Sequence, residues 1–518
     1  MRIDEITDLH LITKPNYTAV SDKDFDISYK ALTAASDMAA ALLKNKGIKK
    51  GDRVAILAKN SAAYPVIIIA AAKLGAVSVL LNHRLQESEL DFIIDDCKAS
   101  LIVTTDKDLH DTALNLQKRR KEDLHLVNIN RMQMKFWLDI ENICQSDQLI
   151  KSENTATESS DFLQLYTSGT TGRPKGAILT HRNFKFIVNK SPDSPSDIDN
   201  NSLIIAPLFH IGGAGSLLIS LMTAGSAIIH EQFDPHQMIN TMEQRKLRNV
   251  FMVPTMIQAI LDNVPNINTR NFSNLKQITY GASPISESLL RKAISVFECD
   301  FVQAYGMTET SGAISLLSAD DHLHALDRNA KLLQSCGRPV DGVQMAIYNK
   351  NGERLNKNEV GQICVKSPSI MKGYWNNADE TEATFNDGWL LTGDIGYVDG
   401  SGYFYVVDRA KDMIISGGEN VYPLEIEKVL LQHPAIAEVA VIGVHDSKYG
   451  EKPLAICVIN KSFELDSTAL ILHCRALLAG YKIPRSYLQI DLLPRNASGK
   501  VLKMELKNRY KDMESITS

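Results

Sequence analysis

Between residues 167 and 176 the chain reads TSGTTGRPKG. Glycines in such a run let backbone N–H groups turn towards an anion at positions where a Cβ would clash. The hydroxyls of Thr167, Ser168, Thr170 and Thr171 add donors, Gly169 and Gly172 add conformational freedom, and Lys175 adds a positive charge on a mobile stem. Together these residues describe a cradle for phosphate oxygens. The spacing differs from the G-x-x-x-x-G-K-[ST] phosphate loop. A glycine-rich surface hairpin would share the composition, and the closing Lys-Gly pair favours the cradle.

The elements around this run must hold it still. Leu163 to Tyr166 reads as a short apolar strand leading into it. Before it, helical and β-branched stretches alternate: a helix over 29–46, a strand over 53–58, a helix over 88–97 and a strand over 101–104. After it come strands over 202–206, 226–229, 249–253, 277–280 and 301–305, with helices between them. The rhythm predicts mostly parallel sheet covered by helices. Beyond about Arg338 the pattern changes to strands with glycine turns, and after Lys411 to a compact α+β unit. The expected division is a large domain over 1–408, a connecting segment over 409–411 and a small domain over 412–518.

YTSGTTGRPKGAILTH resembles the signature loop of the adenylate-forming superfamily, which includes acyl-CoA synthetases, firefly-type luciferases and the adenylation domains of peptide synthetases. The remaining motifs follow in the family's order over roughly residues 20 to 510, with fatty-acyl-CoA ligases as the nearest group. The resemblance implies an α/β fold: a large N-terminal domain of parallel-rich sheets covered by helices, a strand-rich subdomain, and a small mobile α+β C-terminal domain. The implied reaction joins a carboxylic acid to AMP at the expense of ATP·Mg²⁺, then transfers the acyl group to coenzyme A. A medium- or long-chain fatty acid is the expected substrate. Aryl-CoA ligation, loading of a carrier protein, or a scaffold that binds nucleotide without turnover are the alternatives.

Roles follow position by position. In Tyr305-Gly306-Met307-Thr308-Glu309, the resemblance makes Tyr305 the adenine platform, Thr308 an α-phosphate donor and Glu309 the magnesium ligand. Gly281-Ala282-Ser283 would lie against adenine and the acyl group, where small residues leave space. A carboxylate can accept both hydroxyls of a ribose, and Asp394 matches the acid that does so, with Arg409 as the second ribose contact. His210, in Pro207-Leu208-Phe209-His210, would line the path to the acyl site. Lys500 would enter from the small domain and sit between the attacking carboxylate and the α-phosphate, where a fixed cation offsets their repulsion. Lys411 matches the hinge. Gly417 and Gly418 would make room for the pantetheine arm of CoA, and Lys482 would meet a CoA phosphate. Gln362 and Asp408 stand where glutamate and glycine are more usual.

The bulk numbers fit an ordinary globular chain. It has 518 residues, 44% hydrophobic and 23% charged, with a net charge of −5. That balance excludes a general nucleic-acid binder. Seven cysteines without C-x-x-C spacing predict reduced thiols and a cytoplasmic setting. The most apolar stretch, residues 62–81, is near the ~20 residues of a membrane span. Lys73, Pro65 and Gly75 interrupt it, which predicts a buried helix, a turn and a strand instead. Peripheral membrane contact and a homodimer are compatible with this reading.

Overall fold

The computed structural model describes residues 2–120, 124–141, 156–167, 174–189, 201–282, 285–409, 412–416, 419–446, 449–495 and 501–510. Four sheets organise them. The first runs, in spatial order, Gly373–Tyr374, Lys175–Thr180, Asp161–Thr167, Val77–Leu80, Arg53–Leu57, Ala99–Thr104 and His125–Asn128. The second runs Arg338–Pro339, Gly312–Leu317, Asp300–Met307, Gln277–Gly281, Asn249–Met252, Asn201–Ile204, Ser226–Ile229, Thr18–Ser21 and Asp26–Ser28. The centre of each is parallel, as the alternation of helices and strands requires. Both close with antiparallel strands, so the expectation of mostly parallel sheet holds for the centres and not for the edges.

The third sheet is antiparallel and joins Gln344–Tyr348, Gly361–Lys366, Trp389–Val398 and Phe404–Arg409. The fourth pairs Ile436–Asp446 with Gly450–Ile459 and adds Ser486–Gln489 in parallel, covered by the helices Pro423–Leu430 and Ser467–Leu477. Its own core includes Ile426, Leu430, Val441 and Leu470.

Local sequence explains the elements. The helix Tyr29–Asn45 starts where the Ser28 hydroxyl accepts the Ala31 N–H at 3.1 Å, which supplies a partner to one of the free first-turn donors. Residues 62–81 resolve as the helix Ala63–Lys73, a turn with Gly75 at φ 68°, and the strand Val77–Leu80. Every residue of that helix is buried, and Lys73 is neutralised by Asp37 at 2.5 Å. Among the described residues no helix is long and apolar enough to cross a membrane. The six described cysteines are unpaired, and Cys144 lies outside the described residues.

One boundary differs in a way that matters. The strand expected over 301–305 runs from Asp300 to Met307, with Gly306 inside it. Gly306 does not end the strand. It lets Gly312–Leu317 return alongside, since a Cβ on Gly306 would lie 1.9 Å from the Gly312 carbonyl oxygen.

Candidate active site

The hairpin from Asp300 to Leu317 carries the centre of the site on its bend. Glu309 lies in the single turn Thr308–Thr310 and is 6% exposed. Its Oε1 accepts the Tyr374 hydroxyl at 2.9 Å and the Thr167 hydroxyl at 3.4 Å. Thr167 ends the strand Asp161–Thr167, so the start of the anion loop and the acid expected to hold magnesium are in contact. Thr308 is half-buried beside it. Ser168, Gly169, Thr170, Thr171 and Gly172 lie outside the described residues.

At the other end of the same motif, the Tyr305 hydroxyl donates to Asp394 Oδ2 at 2.5 Å. Asp394 is 2% exposed, and its Oδ1 lies 2.6 Å from Arg409 Nε. Burial alone would lower the Arg409 pKa; Asp394, Tyr305 and Glu309 more than reverse that, so the guanidinium feels both acids of the site. A carboxylate oxygen has two acceptor directions. Asp394 can therefore serve Tyr305 and Arg409 and still accept sugar hydroxyls. The structure brings Thr167, Tyr305, Glu309, Asp394 and Arg409 into one linked cluster.

Lys175 departs from the expectation of a mobile charge. It opens the strand Lys175–Thr180, is 8% exposed, and is ion-paired with Glu380. The next residue shows why glycine stands there: a Cβ on Gly176 would lie 2.5 Å from Gln164 Nε2 and 3.0 Å from the Tyr166 ring. Tyr374 and Glu380 were not singled out by the sequence. They sit about two hundred residues from the loop, and only the antiparallel pairing of Gly373–Tyr374 with Ile178 and Ala177 brings them to it.

The turn after Gln277–Gly281 is tight. A Cβ on Gly281 would lie 2.4 Å from the Ala304 carbonyl oxygen, and Ala282 adopts φ 66°, a left-handed conformation that costs about 1 kcal/mol for a residue with a Cβ. Ser283 lies outside the described residues. Phe251 is the ring that these small residues face. A Cβ on Gly212 and one on Gly281 would each lie 3.7 Å from opposite edges of it. Sequence gave no signal for Phe251, because a half-buried strand phenylalanine is ordinary.

His210 precedes the helix Ile211–Met222 and packs on Phe209 with ring centroids 4.7 Å apart. Burial, with a smaller push from Arg84, holds its pKa down at about 4. The imidazole is thus neutral near neutral pH, and its buried Nε2 has no hydrogen-bond partner among the described residues. His83 meets Phe209 edge-on at 5.2 Å. His83 and Arg84 therefore join this region, although the sequence did not mark them.

In the small domain, Lys482 is held by Glu425, 2.8 Å from both carboxylate oxygens. It is packed near the strand Glu419–Val421 and already has an anionic partner, which the expectation of a CoA phosphate contact did not include. Lys411, Gly417, Gly418 and Lys500 lie outside the described residues.

The AMP-binding enzyme family model matches residues 10–375, and the model of its C-terminal domain matches residues 425–500. The chain is 36% identical to a feruloyl-CoA synthase of an Amycolatopsis species, with 96% of each chain covered. It is 33% identical to a fatty acid–[acyl-carrier-protein] ligase of Streptomyces coeruleorubidus, covering 98% of this chain and 96% of the other. The solved o-succinylbenzoate CoA synthetase of Bacillus subtilis, in complex with its acyl-adenylate intermediate, superposes with a TM-score of 0.83 at 31% identity over 97% of each chain. With both domain models matched in order and two acid clusters joined through one hairpin, the chain belongs to the AMP-binding enzyme family.

Proposed function

We propose that this protein activates a carboxylic acid with ATP as an acyl adenylate and passes the acyl group to the thiol of coenzyme A. It is an AMP-forming acid–thiol ligase that uses ATP, Mg²⁺ and CoA. The observation that carries the reading is the linked cluster of Thr167, Glu309, Tyr305, Asp394 and Arg409. One hairpin there sets a buried acid beside the anion loop and ties its tyrosine to a second buried acid.

In the first half-reaction a carboxylate oxygen of the substrate attacks the α-phosphorus, and the bond to pyrophosphate breaks. Asp394 accepts the ribose hydroxyls while Tyr305 and Arg409 fix its orientation. Lys175 offsets the charge of the departing phosphates, and the loop hydroxyls donate hydrogen bonds to their oxygens. Glu309 fits a hard cation, because it is a buried carboxylate whose hydrogen bonds converge on Oε1. Mg²⁺ bound there would supply positive charge to the phosphate oxygens. Lys500 is the cation assigned to the attacking carboxylate. In the second half-reaction the small domain turns about Lys411, Lys500 leaves, and the Gly417-Gly418 turn admits CoA; its thiolate attacks the acyl carbon, the acyl–phosphate bond breaks, and AMP leaves.

The acid is best read as an aryl acid. A Cβ on Gly212 would meet only Phe251, at 3.7 Å, so the position beside that ring edge is open, and a flat group fits it. The relatives named for feruloyl and o-succinylbenzoate substrates point the same way. A fatty acid passed to a carrier protein is the second reading, favoured by the relative of that name.

Pyrophosphate release measured over a panel of aryl and straight-chain acids, with CoA consumption followed in parallel, tests both. No acid-dependent pyrophosphate would overturn the reaction, and release without CoA consumption would favour the carrier-protein acceptor. Lys500→Ala should abolish adenylation yet spare thioester formation from supplied acyl adenylate. Equal loss of both steps would count against the domain rotation.

A further inference from the structure

Lys175 is held in place by the protein's own groups. Its side chain is 7% exposed, its ammonium is paired with Glu380, and its Nζ lies 5.5 Å from the centroid of the Tyr374 ring. Glu380 stands on the helix Ala378–Thr384, where its N–H donates to the Asn377 side chain at 3.2 Å. That helix is tied to the strand of the lysine itself. Gly373 and Tyr374 pair with Ile178 and Ala177, and the Trp375 N–H donates to the Gly176 carbonyl at 2.7 Å. The Thr381 hydroxyl accepts the Tyr374 N–H at 2.9 Å. Glu380 is therefore registered against the lysine by the backbone and is not a passing surface acid.

The pair is asymmetric. The lysine is almost fully buried, whereas the Glu380 side chain is 30% exposed. A buried ammonium without a partner is costly, but a partly exposed carboxylate returns to water easily. An incoming polyphosphate can replace the carboxylate without ever leaving the ammonium unpaired.

We propose that Glu380 is a positioning residue, the exchangeable counter-ion of Lys175, which holds the ammonium at the head of the strand Lys175–Thr180 and yields it to the polyphosphate of the incoming nucleotide. This rests on the ATP-dependent reading above. Nucleotide then competes with Glu380 for the lysine, so the carboxylate weakens ATP binding. After the reaction Glu380 recaptures Lys175 and speeds the departure of pyrophosphate.

The test uses the full chain as wild type, Glu380→Gln, Glu380→Ala, Lys175→Ala and the Lys175→Ala/Glu380→Gln double variant. KM for ATP and kcat are read from pyrophosphate release, and affinity for magnesium pyrophosphate from calorimetry. Removing the carboxylate should lower KM for ATP and tighten pyrophosphate by about three- to fivefold, the scale of a partly exposed ion pair. kcat should fall or stay level. In the Lys175→Ala background the same change should do nothing, because the two groups act through each other. Glu380→Ala gives the same sign if the glutamine variant fails to fold. A raised or unchanged KM, or an effect that survives without Lys175, would overturn the proposal. If the wild type releases no pyrophosphate with any acid, the enzymatic reading fails. Pyrophosphate calorimetry on the same proteins still decides the exchange.

Discussion

Asp394 and Arg409 face each other as a register pair across two antiparallel strands, with Nε of the arginine 2.6 Å from Oδ1 of the acid. Tyr305 closes the other side of the carboxylate from a different sheet. Removing one donor from a buried charged acceptor costs roughly 1–3 kcal/mol. Tyr305→Phe should therefore loosen the orientation of Asp394 and raise KM for ATP by about tenfold. KM for the acid should change far less. ATP–pyrophosphate exchange at varied ATP measures both, and equal rises would place Tyr305 at the acid instead.

Gly306 should tolerate no side chain. Its missing Cβ would meet backbone, the Gly312 carbonyl at 1.9 Å and the Ala313 Cα at 2.8 Å, and backbone cannot step aside as a flexible side chain can. Gly306→Ala should cost about 3 kcal/mol or more and displace Glu309 with the hairpin bend. Gly400→Ala is the control, since a Cβ there meets nothing within 4 Å. The thermal midpoint of the first variant should drop while that of the second stays put.

Much of this architecture is legible in the chain because it is local. Residues 226–229 are read as a strand because a short run ending in two isoleucines follows a helical stretch, and they are one; Gly75 marks a turn that exists at φ 68°. Gly306 misleads for a physical reason: a glycine can mark the end of a strand or a place where two backbones touch, and only the pairing with Ala313 and the close Gly312 carbonyl tell which. The site divides along the same line. Glu309, Asp394 and Arg409 are visible because each lies in a compact motif that resembles those of a known family. Tyr374 and Glu380 are not, because their relation to Thr167 and Lys175 exists only through a two-residue strand pairing far along the chain. No local pattern says which acid neutralises which lysine.

Gly212 offers a way to fill the space beside Phe251 without disturbing the fold. It is the second residue of the helix Ile211–Met222, where alanine is a better helix former by about 1 kcal/mol. A Cβ there would sit 3.7 Å from Phe251 Cε1, an ordinary contact. Gly212→Ala should leave the thermal midpoint level or slightly raised while KM for an aryl acid rises several-fold. A fall in stability, or an unchanged KM, would remove the Gly212–Phe251 slot from the acid site.

Asp408 should make stability depend on pH. It is 2% exposed, and its two oxygens accept the Arg409 N–H at 2.7 Å and the Leu424 N–H at 2.8 Å, the latter in the first turn of the helix Pro423–Leu430. Lys503, itself paired with Glu427 at 2.7 Å, favours the charged form, and Glu427 opposes it. Burial outweighs these and pushes the pKa from the usual 3.8 up to about 6. The folded chain then holds the proton more tightly than the unfolded chain. The stability contributed by protonated Asp408 is complete below the unfolded value and is lost as pH rises through about 6. The rise corresponds to at most about 3 kcal/mol against the ionised form. Asp408→Asn keeps an oxygen for the Leu424 N–H, sets its amide nitrogen against the Arg409 N–H, and carries no charge. The lost acceptor costs about the same at every pH, so the thermal midpoint of the variant relative to wild type should be higher at about pH 8 than at about pH 4. Melting curves of the two proteins that stay parallel across that range would show that burial does not govern this acid.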